Sequence, residues 1–170
     1  VDPRYKPSVI DRLAALPQPV IASVHGACVT GGLELALACD FIIADTTAKF
    51  ADTHGKWGLV GAWGMMQRLP RRVGVPLARR MMMTGMPLNS AEALEAGLID
   101  LAAEQGELDL KVQELAMQIL SNSWHTNFAV KRTLRETDGM HLAAALAHEN
   151  YNNPGNASDY AERVARFSKR

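Results

Sequence analysis

The chain has 170 residues, 48% of them apolar, enough for one globular domain with a core and too many for a disordered chain. Its 18 Lys and Arg are balanced by 18 Asp and Glu, so the basic excess of a nucleic-acid binder is missing. No apolar run could span a bilayer, because the longest, Leu33 to Ala44, is interrupted by Glu34 and Asp40.

In chain order, a polar lead-in is followed by a short helix expected from Ser8 to Leu16, ending before Pro17. PVIASVHG, Pro19 to Gly26, is β-branched and reads as a buried strand. GGLELALAC has helix formers after a glycine start, FIIAD is a second short strand, and AKFAD a third. Gly64 to Met83 is helical in pattern with a break at VGVP, Val73 to Pro76. NSAEALEAGL carries a helix start, with Asn89 or Ser90 as N-cap and Glu92 or Glu95 in the first turns, and LIDLAA reads as a last strand. Beyond Gly106 the strand signal fades. A helix with apolar Leu110, Val112, Leu115, Ile119 and Leu120 is followed by helices near 124–137, near 141–150, and from Ala157 on. The expected division is an α/β part over residues 1–106 and a helical tail over 107–170.

Cys28 and Cys39 lie in apolar surroundings and read as free thiols, which fits a reducing, cytoplasmic location. The arginines at 68, 71, 72, 79 and 80 read as a solvated helix face, with phosphate contact as the other reading.

Glu34 is the residue that asks for an explanation, since it stands in an otherwise apolar helix. A helix start exposes backbone N–H groups without acceptors, carries partial positive charge, and admits close approach where glycine removes the side chain. Gly31 and Gly32 would offer such donors to an oxygen that becomes negative, and Glu34, one turn in, would move a proton beside it. That suits proton transfer next to a carbonyl. The plain alternative is a glutamate placed only to complement the helix dipole.

The stretch PQPVIASVHGACVTGGLELALACDFIIADTTAKFADTHGKWGLVGAWGMMQRLPRRVG resembles the crotonase (enoyl-CoA hydratase/isomerase) superfamily. The pattern rests on P-V-I-A-x-V-x-G, then G-G-x-E-L-A-x-x-C-D, then A-x-F and a later R-L. MMMTGMPLNSAEALEAGLID matches a further family segment, so the likeness covers about Pro17 to Leu101. It implies a crotonase-like α/β spiral of ββα turns with a C-terminal helical oligomerisation region. It implies an enzyme, a lyase or isomerase with a hydrolase variant open, acting on an acyl-CoA thioester through an enolate. Coenzyme A enters only as part of the substrate, and no other cofactor and no metal is expected. Homotrimers or hexamers are expected; membrane and nucleic-acid partners are not.

Carried over residue by residue, the resemblance puts an oxyanion-hole donor on Gly31 and the first hydratase glutamate on Glu34. The second glutamate falls on position 54, where this chain has His54. Histidine can act as acid or base near neutral pH, and an ordinary polar residue opening a short helix is the other reading. Thr30, Gly32, Trp57, Trp63 and Met65 are expected around the acyl group, with core packing as the alternative for the bulky ones. Phe167 and Lys169 are loose candidates for coenzyme A contact. The family's A-F-x-A-G-x-D segment, which supplies the other oxyanion donor, has no counterpart here, and the chain starts at Val1, so an N-terminal part is expected to be missing. A non-catalytic acyl-CoA-binding or assembly subunit of the same fold is the second reading of function.

Overall fold

The structure is a computed structural model describing residue 2 and residues 4–167, the side chain of Phe167 apart. It divides into two compact units. The first takes the chain as far as Leu16 and again from Val20 to Leu115; the second takes Pro17–Pro19 and the chain from Ala116.

The first unit opens with helix α1, Tyr5–Ala14, three residues earlier than its apolar pattern predicts. Strand β1 (Ile21–Val24) is followed by β2 (Ala27–Val29), helix α2 (Gly31–Ala36), β3 (Phe41–Asp45) and β4 (Lys49–Ala51). A 3-10 turn over His54–Trp57 leads to α3 (Met65–Thr84), β5 (Leu88–Asn89), α4 (Ser90–Glu95) and β6 (Leu101–Ala103). From β1 to β4, successive strands alternate between two sheets. One sheet has the order β1-β3-β6, all parallel; the other has β2-β4-β5, with β4 and β5 antiparallel. Two circuits thus lay one strand in each sheet before a helix, and a third lays β5 in one sheet and, after α4, β6 in the other.

Local chemistry explains the joints. The break expected at Val73 to Pro76 is real: Gly74 has φ 75° and ψ 157°, so α3 kinks there. Asn89 and Glu92 form a reciprocal capping box, each side chain accepting the other's backbone N–H, at 2.9 and 2.8 Å. Asp40 joins α2 to β3 by accepting the Val20 N–H at 2.7 Å. Asp100 does the same for Ile42 at 2.7 Å while pairing with Arg72 at 3.0 Å. Arg72 also donates to the Asp40 carbonyl, so this member of the basic cluster ties the sheet to α3 rather than meeting solvent.

The core between sheets and helices contains Leu33, Ile42, Phe50, Met65, Leu69, Met81 and Leu98, each at 1% exposure or less. A smaller apolar group gathers Ile43, Ala103 and Leu108. Leu108 opens helix α5, Leu108–Ser121, whose inward stripe is Leu108, Val112 and Leu115; Leu110 and Leu120 are exposed instead.

The second unit holds α6 (Trp124–Glu136), α7 (Leu142–Tyr151) and α8 (Tyr160–Phe167). Within it Trp124 stacks on Phe128, and the Arg132 guanidinium lies 5.5 Å from the Phe128 ring centre. Among the described residues no helix is long and apolar enough to cross a membrane.

Candidate active site

The junction from β2 into α2 is strained. Thr30 has φ 47° and ψ −117°, the one non-glycine residue with positive φ among those described. Such a conformation costs about 1–3 kcal/mol, and it sets the direction in which α2 leaves the sheet. Thr30→Gly is expected to raise Tm by about 2–4 °C: relief of the strain exceeds the roughly 0.4–1 kcal/mol of extra chain entropy, leaving about 1 kcal/mol net. Thermal unfolding followed by circular dichroism checks it, and an unchanged or lower Tm would mean Thr30 stores no strain.

Helix α2 then carries Glu34 into the interior at 1% exposure. A buried carboxylate is expensive unless it is hydrogen-bonded. Here the loop before α3 supplies the partners: Glu34 Oε1 accepts the Trp63 N–H at 2.8 Å and the Met65 N–H at 3.2 Å. The other oxygen, Oε2, faces His54 Nε2 at 3.6 Å, a contact rather than a hydrogen bond. One oxygen is therefore tied by backbone and the other is left for chemistry.

His54 opens the 3-10 turn just past β4, its side chain 12% exposed. Its Nδ1 lies 2.6 Å from Asp52 Oδ1, and its backbone N–H donates to the same oxygen at 3.0 Å. Asp52 is itself buried. Gly61 closes the third side. A methyl group at Gly61 would lie 3.1 Å from Glu34 Oε1 and 3.2 Å from both His54 Cε1 and Met65 Cβ, so the bare glycine lets the loop sit close without pushing on the pair.

Trp63 lies across the start of α2. A methyl group at Gly31 would sit 2.7 Å from Trp63 Cζ3, so the indole rests on the bare Gly31 backbone. Trp63 is held at its ring and at its backbone. Lys6 Nζ stands 5.6 Å from its ring centre, and Arg68 donates to the Trp63 carbonyl at 2.6 Å while pairing with Asp11 at 3.0 Å. Arg68, like Arg72, is thus occupied inside the unit.

The remaining expected residues fall in several places. Met65 is buried at the first turn of α3 and meets Glu34 through its N–H. Thr30 precedes Gly31 directly, and its N–H donates to the Ala51 carbonyl at 3.1 Å. Gly32 lines a cleft of about 390 Å³ with His25, Cys28 and Leu35, and neither Glu34 nor His54 borders that cleft. Trp57 ends the 3-10 turn 74% exposed. Phe167 ends α8 with its side chain outside the description, and Lys169 lies outside the described residues altogether. Asp52 is the site residue that the motifs do not mark.

Burial pushes the Cys28 thiol up to about 11, so it stays protonated at neutral pH and is no nucleophile there. Cys39 is half-buried, and its thiol donates to the Leu35 carbonyl at 3.5 Å. No group of three or more His, Cys, Asp or Glu is placed to hold a metal ion among the described residues.

Comparison with known proteins gives this geometry a context. The family model for enoyl-CoA hydratase/isomerase matches residues 5–168. The probable peroxisomal enoyl-CoA hydratase 1 of Arabidopsis thaliana is 35% identical over 148 residues, 87% of this chain and 55% of that protein. The short-chain-enoyl-CoA hydratase of Clostridium acetobutylicum is 37% identical over 141 residues, 83% of this chain and 54% of that one. This chain thus spans about half the length of these curated relatives. The crystal structure of enoyl-CoA hydratase from Bacillus anthracis superposes with a TM-score of 0.92 at 31% identity, covering 96% of this chain and 64% of that one. The strand-strand-helix winding is therefore the crotonase fold. With a family match over nearly every residue as well, the chain belongs to the enoyl-CoA hydratase/isomerase family.

Proposed function

We propose that the protein adds water to, or removes it from, an acyl-CoA thioester through an enolate, with Glu34 and His54 as the two acid/base groups. The observation that carries this reading is the facing pair: Glu34 Oε2 and His54 Nε2 are 3.6 Å apart, each side chain held on its far side by hydrogen bonds. Water addition needs two proton-handling groups, whereas moving a double bond needs one.

In this reading Glu34 enters the cycle protonated on Oε2 and His54 enters neutral. His54 Nε2 takes a proton from water as the water oxygen bonds to the β-carbon. The π electrons of the enoyl group move onto the thioester oxygen, where the N–H of Gly31, without an acceptor inside its helix, donates to the forming enolate. The enolate collapses as its α-carbon takes a proton from Glu34 Oε2. The imidazolium then returns its proton to Glu34, and one water has been added. The relatives named as enoyl-CoA hydratases support the choice of substrate class. Assembly as a homotrimer or hexamer belongs to the same reading, supported by exposed Leu134 and Leu142 in the second unit.

The test compares two reactions in the full-length protein. His54→Gln is expected to lower kcat for hydration of a 2-enoyl thioester by about 10²-fold or more, with 3-enoyl to 2-enoyl isomerisation changed only a few-fold. If wild-type isomerisation is the faster reaction and His54→Gln leaves both rates alone, Glu34 works by itself as an isomerase base.

A further inference from the structure

The carboxylates of this fold divide by what they hold. Asp40 and Asp100 accept strand N–H groups, and Asp45 accepts the backbone and hydroxyl of Thr47. These are joints of the scaffold. Asp52 is different. It is 5% exposed, and among the described residues both hydrogen bonds to its carboxylate come from His54. It follows the last residue of β4, so the sheet fixes its backbone. The chain turns at Thr53 (φ −101°, ψ 9°), and that turn brings the Asp52 carboxylate beside both the backbone N–H and the imidazole of His54.

The ring is clamped on three sides: Asp52 Oδ1 at Nδ1, the Gly61 backbone near Cε1, and Glu34 Oε2 opposite Nε2. A ring turned over would present carbon to the Asp52 oxygen and lose the 2.6 Å contact. Since the carboxylate only accepts, the proton of this contact sits on Nδ1. The lone pair then sits on Nε2, the nitrogen that looks toward Glu34.

We propose that Asp52 is the positioning residue of this site: it holds His54 as the Nδ1–H tautomer and so commits Nε2 to take the proton from water. This rests on the reading of Glu34 and His54 as a two-group water site. Asp52 touches no reacting atom. Once Nε2 has gained its proton and Glu34 has given its own to the α-carbon, the charge on the imidazole lies between the Asp52 and Glu34 carboxylates, and the proton leaves again toward Glu34 Oε2. No further reactant is needed.

Three measurements on the full-length protein test it. In wild type, ¹⁵N resonances of the neutral His54 ring should report a proton on Nδ1; a proton on Nε2 would overturn the proposal without any variant being made. Asp52→Asn is close to isosteric and is expected to lower kcat for hydration by about 10²-fold, with KM within about threefold and His54 no longer a single Nδ1–H tautomer. A scaffold role would move Tm and KM instead and leave the tautomer as it was. In a His54→Gln background, Asp52→Asn should cost nothing further, because Asp52 acts through His54. A further loss there, or an unchanged kcat for Asp52→Asn alone, removes Asp52 from the mechanism. If His54→Gln itself leaves hydration intact, the two-group reading has failed first. A loss with His54→Gln but not with Asp52→Asn sinks only the role of Asp52.

Discussion

Glu34→Gln is expected to lower kcat by about 10²–10⁴-fold while leaving Tm within about 4 °C. The separation of the two effects comes from the division of labour on one carboxylate. Oε1 accepts two backbone N–H groups, from Trp63 and Met65. The amide oxygen of glutamine can take over both bonds, and because those N–H groups only donate, they orient the new side chain with oxygen toward the loop. Its NH₂ then falls where Oε2 stood, opposite His54 Nε2. That group can neither give nor take a proton at neutral pH, and it donates to the lone pair His54 needs. Fold and site shape survive while both acid/base groups are silenced. Glu34→Ala makes the contrast: two buried N–H groups lose their acceptor, at about 1–3 kcal/mol each, so that variant confuses stability with chemistry. Steady-state turnover of a crotonyl-type thioester with paired melting curves decides the matter. Turnover equal to wild type would take Glu34 out of the mechanism. No turnover in wild type itself would favour a non-catalytic acyl-CoA-binding subunit.

Much of this arrangement was legible in the residues, for identifiable reasons. Long or β-branched strands announce themselves: FIIAD is β3 residue for residue, because a strand covered on both faces is apolar throughout. The α4 capping box and the α3 break follow from local chemistry alone. Strands of two or three residues carry little period: β4 and β6 showed only because AKFAD and LIDLAA extend them with further apolar residues. Thus β2, squeezed between Gly26 and Thr30, and β5, with Leu88 and Asn89 only, left no pattern. In α5 the expected stripe holds in part: Val112 and Leu115 pack inward, while Leu110 and Leu120 are apolar yet exposed. Within the site, Glu34 stood out as a charge in an apolar helix. Its anchors did not, because they are backbone amides 29 and 31 residues away, and a backbone amide is the same at every residue. Arg68 and Arg72 looked like a solvated face because sequence shows the charge and not its partner. Asp52 did leave a trace: an aspartate two residues before a histidine, at the end of a strand, is the spacing that lets one oxygen reach both the backbone and the ring of that histidine.

Phe50→Ala is expected to destabilise the protein by about 3–5 kcal/mol, lowering Tm by roughly 6–20 °C. Phe50 is fully buried in β4, in register with Cys28 of β2 and Leu88 of β5. It is thus central in its sheet and borders the main core. Truncation removes most of a ring that close packing cannot replace, and the cavity adds to the lost transfer energy. Against a typical total of about 5–15 kcal/mol, that is a large share. The consequence reaches the site, because Asp52 and His54 follow β4 directly and take their position from it. Phe50→Leu, which retains more of the volume, should lose less than half as much stability and retain more activity. Thermal melts of the two variants, with turnover measured well below each Tm, check both links. A Phe50→Ala midpoint within about 2 °C of wild type, corresponding to at most about 1 kcal/mol, would mean that β4 is not pinned by this ring. The geometry of Asp52 and His54 would then have to be held by the loop through Gly61 instead.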